Sequence, residues 1–244
     1  MTERLRVKWA NNERVVGYWQ WTTDPQITEL MSRTGVDVGL LDCQHGMLGR
    51  SEMYKILPAM KTANCVPGVR IPCLDEHFIG AALDHGAELL VCPLVNSKEE
   101  CERFVKSAYF PPHGIRSFGP GRALLDTDTK SWFDTQQPGH PGRPLLFAMI
   151  ETEEGLKNVE EVCEVELLDG ILIGPYDLSC TCLEPMNPAG ERTTAAIKRI
   201  AAACLKHGKK LSIYSANSSG ASVYANSNGK FGKDFDLLFA FHDT

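Results

Sequence analysis

The chain has 244 residues, 43% of them hydrophobic and 23% charged. That suits one large domain of α/β-barrel size, spanning residues 1–244, better than two small ones. A formal net charge of −6 with no dense Lys/Arg stripe argues against nucleic acid as a partner.

No run approaches the roughly 20 apolar residues of a membrane span. The opening M-T-E-R-L-R-V-K-W lacks the apolar core of a secretory signal. The nine cysteines include no C-x-x-C pair and sit mostly in apolar runs, which predicts buried free thiols rather than a disulfide framework or a thiolate zinc site. The expected location is therefore the cytoplasm.

In chain order, the first β-branched run is V-V-G-Y-W-Q-W (15–21). Asp24–Pro25 then reads as N-cap and first position of a helix that Gly35 closes. Strand patterns follow at 36–42, 66–71 and 88–92, with Gly86 ending the helix before the last of them. Ser97 with Glu100 spells a capping box. Residues 109–144, rich in Pro and Gly, form a long connection expected to carry the side chains that choose a substrate partner. Strands at 145–151 and 168–174 come next, then a helix ended by Gly208, and strands at 210–214 and 235–241. Between these last two, 215–234 is poor helix material, and no eighth helix is expected. Eight continuous apolar runs alternating with helices predict a parallel (β/α)8 TIM barrel with a weak or truncated C-terminal end. A doubly wound sheet is the runner-up, but no G-x-G-x-x-G follows the first strand.

Active sites of such barrels lie at the C-terminal ends of the strands. Four strand ends carry polar groups: Asp42 with Gln44 and His45, Arg70, Glu151, and Gly174-Pro175-Tyr176-Asp177. Glu151 and Asp177 end neighbouring strands and suit one hard divalent cation such as Mg²⁺, Mn²⁺ or Co²⁺; each is alternatively a helix N-cap. A buried Arg70 needs an anion, either a substrate carboxylate or enolate or a structural ion-pair partner. His45 beside a metal is a plausible general base, although a lone His is more often structural. Asp84 reads as its partner or as a solvated helix residue. G-P-Y-D-L-S (174–179) offers backbone N–H groups to a carboxylate, or is an ordinary turn. Trp19 and Trp21 wall a pocket or pack in the core.

The motifs D-C-Q-H (42–45), V-R-I-P (69–72), Y-F-P-P-H-G-I-R-S (109–117), I-E-T-E-E-G (150–155) and I-G-P-Y-D-L-S (173–179) together resemble the HpcH/HpaI aldolase family. This family of phosphoenolpyruvate/pyruvate-type barrels contains class II 2,4-dihydroxyhept-2-ene-1,7-dioate aldolases and relatives such as macrophomate synthase. The resemblance runs from about residue 14 to 241. It implies Glu151 and Asp177 as metal ligands, Arg70 on the keto oxygen, and His45 as base paired with Asp84 of a neighbouring subunit. It also implies Gly174, Pro175 and Tyr176, with Trp19 and Gln44, around the substrate, and a homo-oligomer, trimeric or hexameric. Gln44 departs from the usual D-x-E-H, and Met149 stands where bacterial aldolases tend to have Gln.

The resulting expectation is a metal-dependent carbon–carbon lyase that forms or cleaves 4-hydroxy-2-oxo acids through a pyruvate enolate, with a 2-oxo acid and an aldehyde as its small-molecule partners. No assigned strand end presents a Lys, so a Schiff-base mechanism is not expected. The alternatives are an oxaloacetate decarboxylase or an enolate-capturing biosynthetic enzyme, mildly favoured by Gln44, and a non-catalytic relative.

Overall fold

The apolar runs close on themselves. The computed structural model describes residues 1–125, 127–182, 184–227 and 229–243. Within them β1 (Val15–Gln20), β2 (Val38–Asp42), β3 (Val66–Arg70), β4 (Leu89–Cys92), β5 (Leu145–Ile150), β6 (Gly170–Ile173), β7 (Lys210–Tyr214) and β8 (Leu237–His242) form a closed parallel barrel. The strands pair in chain order, and β8 returns to β1.

Around the barrel lie α1 (Thr2–Ala10), α2 (Pro25–Ser32), α3 (Arg50–Lys61), α4 (Glu76–Asp84), α5 (Lys98–Ala108), α6 (Thr129–Thr135), α7 (Glu153–Lys157), α8 (Val159–Glu164), α9 (Pro175–Thr181), α10 (Glu191–Lys206) and α11 (Ser218–Ala225). None of the described helices is long and apolar enough to cross a membrane. The architecture is a (β/α)8 TIM barrel.

Successive strand residues point alternately into the barrel and out toward the helices. The inward set is Val15 and Trp19, Val38 and Leu40, Val66, Leu89 and Val91, Leu145, Phe147 and Met149, Leu172, Leu237 and Phe239. Leu5 and Trp9 of α1 join this cluster and stopper the N-terminal end. The sequence reading missed α1, although Leu5 and Trp9 at i, i+4 mark one face. The outward set packs with the helices in a second, larger cluster.

Three strands begin immediately after an acidic residue that the sequence reading had placed inside them. Asp37, Asp169 and Asp236 precede β2, β6 and β8. Each carboxylate accepts a hydrogen bond from a backbone N–H near the start of the preceding strand: Val16 (3.1 Å), Leu146 (2.9 Å) and Leu211 (2.8 Å). Each also holds cations: Lys8 on Asp37, Arg6 and Arg143 on Asp169, Lys233 on Asp236. Asp169 is the most enclosed, with both oxygens bound by Arg143 at 2.9 Å.

Helix starts follow their caps. Asp24 accepts from Gln26 N with Pro25 in the first turn, and Ser97 accepts from Glu100 N. The reciprocal half of the expected capping box is shifted by one residue, since Glu100 accepts from Asn96 N rather than Ser97 N. Gly86 and Gly208 take positive φ just past α4 and α10, where a Cβ is strained. All nine thiols are free; six are buried, while Cys73 and Cys180 are exposed.

The expected weakness at the C-terminal end is corrected in two places. Residues 218–225 are helical despite their composition: Asn217 accepts from Gly220 N at 2.8 Å, and Tyr224 packs against Phe231 and Phe235. Tertiary packing overrides weak propensity there. After β8, Asp243 accepts from Trp21 N (2.8 Å), Thr22 N (2.9 Å) and the Thr22 hydroxyl, tying the chain across the end of β1.

Candidate active site

The alternation that fills the barrel also builds its upper rim. Continuing each inward series by two residues gives Asp42 after Leu40, Arg70 two beyond Gly68, Glu151 after Met149, Gly174 after Leu172 and Tyr214 two beyond Ser212. Register aligns them, with Asp42 opposite Arg70 in the β2–β3 pair.

Asp42 is fully buried and accepts five hydrogen bonds. The Arg70 guanidinium donates through Nε (2.9 Å) and Nη2, the Trp19 indole at 3.1 Å, and the backbone N–H groups of Gln44 (3.0 Å) and His45 (3.1 Å). Burial alone would raise its pKa; the hydrogen bonds and charge of Arg70 outweigh that and hold the carboxyl below the usual range. The anionic partner that Arg70 required is thus Asp42, and the structural side of that alternative is present. The arginine is not exhausted by it. Nε and Nη2 are engaged, whereas among the described residues Nη1 meets only the soft Met149 sulfur at 3.9 Å. The guanidinium lies over Trp19, 4.8 Å from the ring centroid. Asp42 and Trp19 therefore fix an arginine whose remaining donors face the rim.

Arg70, Trp19 and Trp21 line a cavity of about 110 Å³, with His45, Met149, Tyr214 and the run Gly174–Asp177 completing it. Among the described residues, the His45 imidazole makes no hydrogen bond. Tyr214 packs against Trp19 at 4.8 Å between centroids, and burial pushes its phenol up to about 12. It was not singled out in the sequence, although it ends a strand as Arg70 does.

Glu151 stands just behind Gly174 and is 3% exposed. Its Oε1 accepts from Leu94 N at 2.9 Å. Burial, joined by the nearby negative charge of Asp177, pushes its pKa up to about 7 against the Leu94 hydrogen bond. Gly174 makes the close approach possible, since a Cβ there would lie 2.6 Å from Glu151 Oε2. Asp177 is exposed in the first turn of α9. Glu151 lies close enough to Asp177 to feel its charge, and among the described residues neither carboxylate forms an ion pair with a Lys or Arg. Among the described residues no group of three or more His, Cys, Asp or Glu could enclose a metal. The pair fits a hard divalent cation that takes its remaining ligands from water or substrate oxygens.

Two expected residues stand apart. The Gln44 backbone helps to bind Asp42, but its side chain does not line the cavity, and its Oε1 is buried without a partner among the described residues. Asp84 lies in a separate cleft of about 320 Å³, bound by the buried Arg116 at 2.6 Å. Arg116 also donates to Gln136 and stacks on Phe110 and Trp132. It folds the 109–144 connection onto this flank, and no described residue of that connection lines the rim cavity.

Comparisons with known proteins place the chain in a family. The model of the HpcH/HpaI aldolase/citrate lyase family matches residues 16–231. A hydroxypyruvate/pyruvate aldolase of Pseudomonas aeruginosa is 30% identical over 221 residues, covering 91% of this chain and 82% of that protein. A 5-keto-4-deoxy-D-glucarate aldolase of Escherichia coli is 29% identical over 222 residues, 91% and 85% of the two chains. The crystal structure of macrophomate synthase superposes with a TM-score of 0.84 at 21% identity, covering 100% of this chain and 84% of that one.

Proposed function

We propose, since the chain belongs to the HpcH/HpaI aldolase/citrate lyase family and is a lyase of the aldolase type, that its rim cavity makes and breaks the C3–C4 bond of 4-hydroxy-2-oxo acids through a pyruvate enolate. The observation that carries this reading is a fixed arginine with a spare donor beside two carboxylates, buried Glu151 and exposed Asp177, that form no ion pair among the described residues.

Glu151 and Asp177 are the residues that would hold a divalent cation, Mg²⁺, Mn²⁺ or Co²⁺. Such a cation, when bound, supplies Lewis-acid polarisation of the 2-oxo acid. Arg70 donates from Nη1 to the oxo oxygen and stabilises the negative charge that gathers there; Asp42 and Trp19 have fixed its position beforehand, so little reorganisation is needed as charge develops. The first-turn N–H groups of α9, beside Gly174, Pro175 and Tyr176, receive the substrate carboxylate. In cleavage His45 takes the proton of the C4 hydroxyl as the C3–C4 bond breaks, leaving an aldehyde and the enolate. The walls of Trp19, Trp21 and Tyr214 limit water around the enolate. Asp84 acts in this reading toward the His45 of a neighbouring copy in a homo-oligomer. Exposed Ile115, which lines the same cleft, gives that contact apolar surface.

The test is proton exchange. Metal-stripped protein is incubated with pyruvate in deuterated water, Mg²⁺ or Mn²⁺ is added, and loss of the methyl proton signal is followed, with Glu151→Ala as control. Metal-dependent exchange that the substitution abolishes supports the enolate reading. No exchange with any of these metals overturns it.

A further inference from the structure

A second cavity adjoins the first. It measures about 210 Å³, and Pro175, Tyr176 and Tyr214 belong to both walls. A substrate seated against Arg70 has this space beside it, across Tyr176 and Tyr214. The connection 109–144, the expected source of partner-selecting side chains, places no described residue in either cavity.

The described lining of the second cavity is uncharged. None of its described lining residues is Asp, Glu, Lys, Arg or His. Pro188, Ala189 and Val223 supply apolar surface, and Val223 is 54% exposed. Tyr224 forms a firm wall, 7% exposed and packed on Phe231 and Phe235. The nearby polar side chains already serve their own backbone: the Ser215 hydroxyl donates to the Phe239 carbonyl at 2.7 Å, and Asn217 Oδ1 accepts from Gly220 N. A carboxylate entering this space loses its hydration and meets no cation. A hydrocarbon substituent loses nothing and covers Val223.

We propose that this adjoining cavity is the acceptor subsite, and that it selects aldehydes with an uncharged apolar substituent over aldehydes that carry a carboxylate. The proposal rests on the enolate reading above. In the bond-forming direction the enolate C3 pair attacks the aldehyde carbon, the C=O π pair moves to oxygen, and that oxygen takes the proton held by His45. The substituent on the aldehyde carbon then lies between Tyr176, Tyr214 and Val223.

The experiment pairs two four-carbon acceptors, butanal and succinic semialdehyde, with pyruvate and Mg²⁺ or Mn²⁺. The wild-type ratio of kcat/KM is expected to favour butanal by at least about tenfold, the scale on which a pocket discriminates small apolar groups. Val223→Arg places a cation at the exposed edge of the cavity and should move the ratio toward succinic semialdehyde by about tenfold or more. The ratio is insensitive to how much of the variant is folded. Pyruvate exchange in the wild type separates the two claims. If exchange is absent, the enolate reading fails and the subsite with it. If exchange is present but the acceptors react equally, or Val223→Arg leaves the ratio unchanged, the subsite alone is overturned.

Discussion

The two ends of the barrel carry similar residues and treat them in opposite ways. At the N-terminal end Asp37, Asp169 and Asp236 each bind a backbone N–H and at least one Lys or Arg, so every carboxylate is compensated. At the C-terminal end burial and the nearby charge of Asp177 raise Glu151, Arg70 keeps a spare nitrogen and His45 makes no hydrogen bond among the described residues. One end consumes its charges in holding strands together, and the other leaves them available to a ligand. In this fold the first pattern marks stability and the second marks chemistry.

Substitutions at the two ends should therefore separate folding from activity. The largest stability loss is expected at the base. Asp169→Ala strands Arg6 and Arg143 around a vacated buried site and should cost about 3–5 kcal/mol in urea denaturation, with the exchange rate per folded molecule retained. At the rim, Arg70→Lys keeps a charge beside Asp42 but loses the forked geometry and the spare donor. It should slow pyruvate exchange by roughly 10²–10³ while costing less stability than Asp169→Ala.

The third effect is a pH dependence. Because Glu151 is raised to about 7, the metal-free folded protein keeps its proton in a window where the unfolded chain has lost it. Stability should fall as pH rises from the ordinary glutamate range to about 7, by up to the order of 3 kcal/mol. Glu151→Gln should flatten that slope and make the metal-free protein the more stable form at pH 8, as read by denaturation in chelator. Asp42 titrates with the opposite sign: its lowered pKa contributes stability that is lost only as pH falls through the acid range. The smallest effect is at a cap. Ser97→Ala removes the bond from Glu100 N and should cost about 1 kcal/mol with no change in exchange.

Much of this contrast was legible in the sequence, because strand alternation is a period of two and needs no tertiary knowledge. It places Arg70, Glu151 and Gly174 on the inward face at strand ends, and it would have found Tyr214 by the same rule. Pairings between distant segments were not legible. Asp42 and Arg70 are 28 positions apart and meet through register. Asp37, Asp169 and Asp236 read as strand interior because a short apolar run does not show where its ladder begins. The helix at 218–225 depends on Tyr224 reaching Phe231 and Phe235, contacts outside any local window.

The most direct test compares Glu151→Gln with Asp169→Asn in one pyruvate-exchange assay with saturating Mn²⁺, each rate divided by the folded fraction. The account predicts that Glu151→Gln remains folded and loses metal-dependent exchange, while Asp169→Asn loses stability and exchanges at close to the wild-type rate. Wild-type exchange from Glu151→Gln would contradict the assignment of the rim as the enolate site.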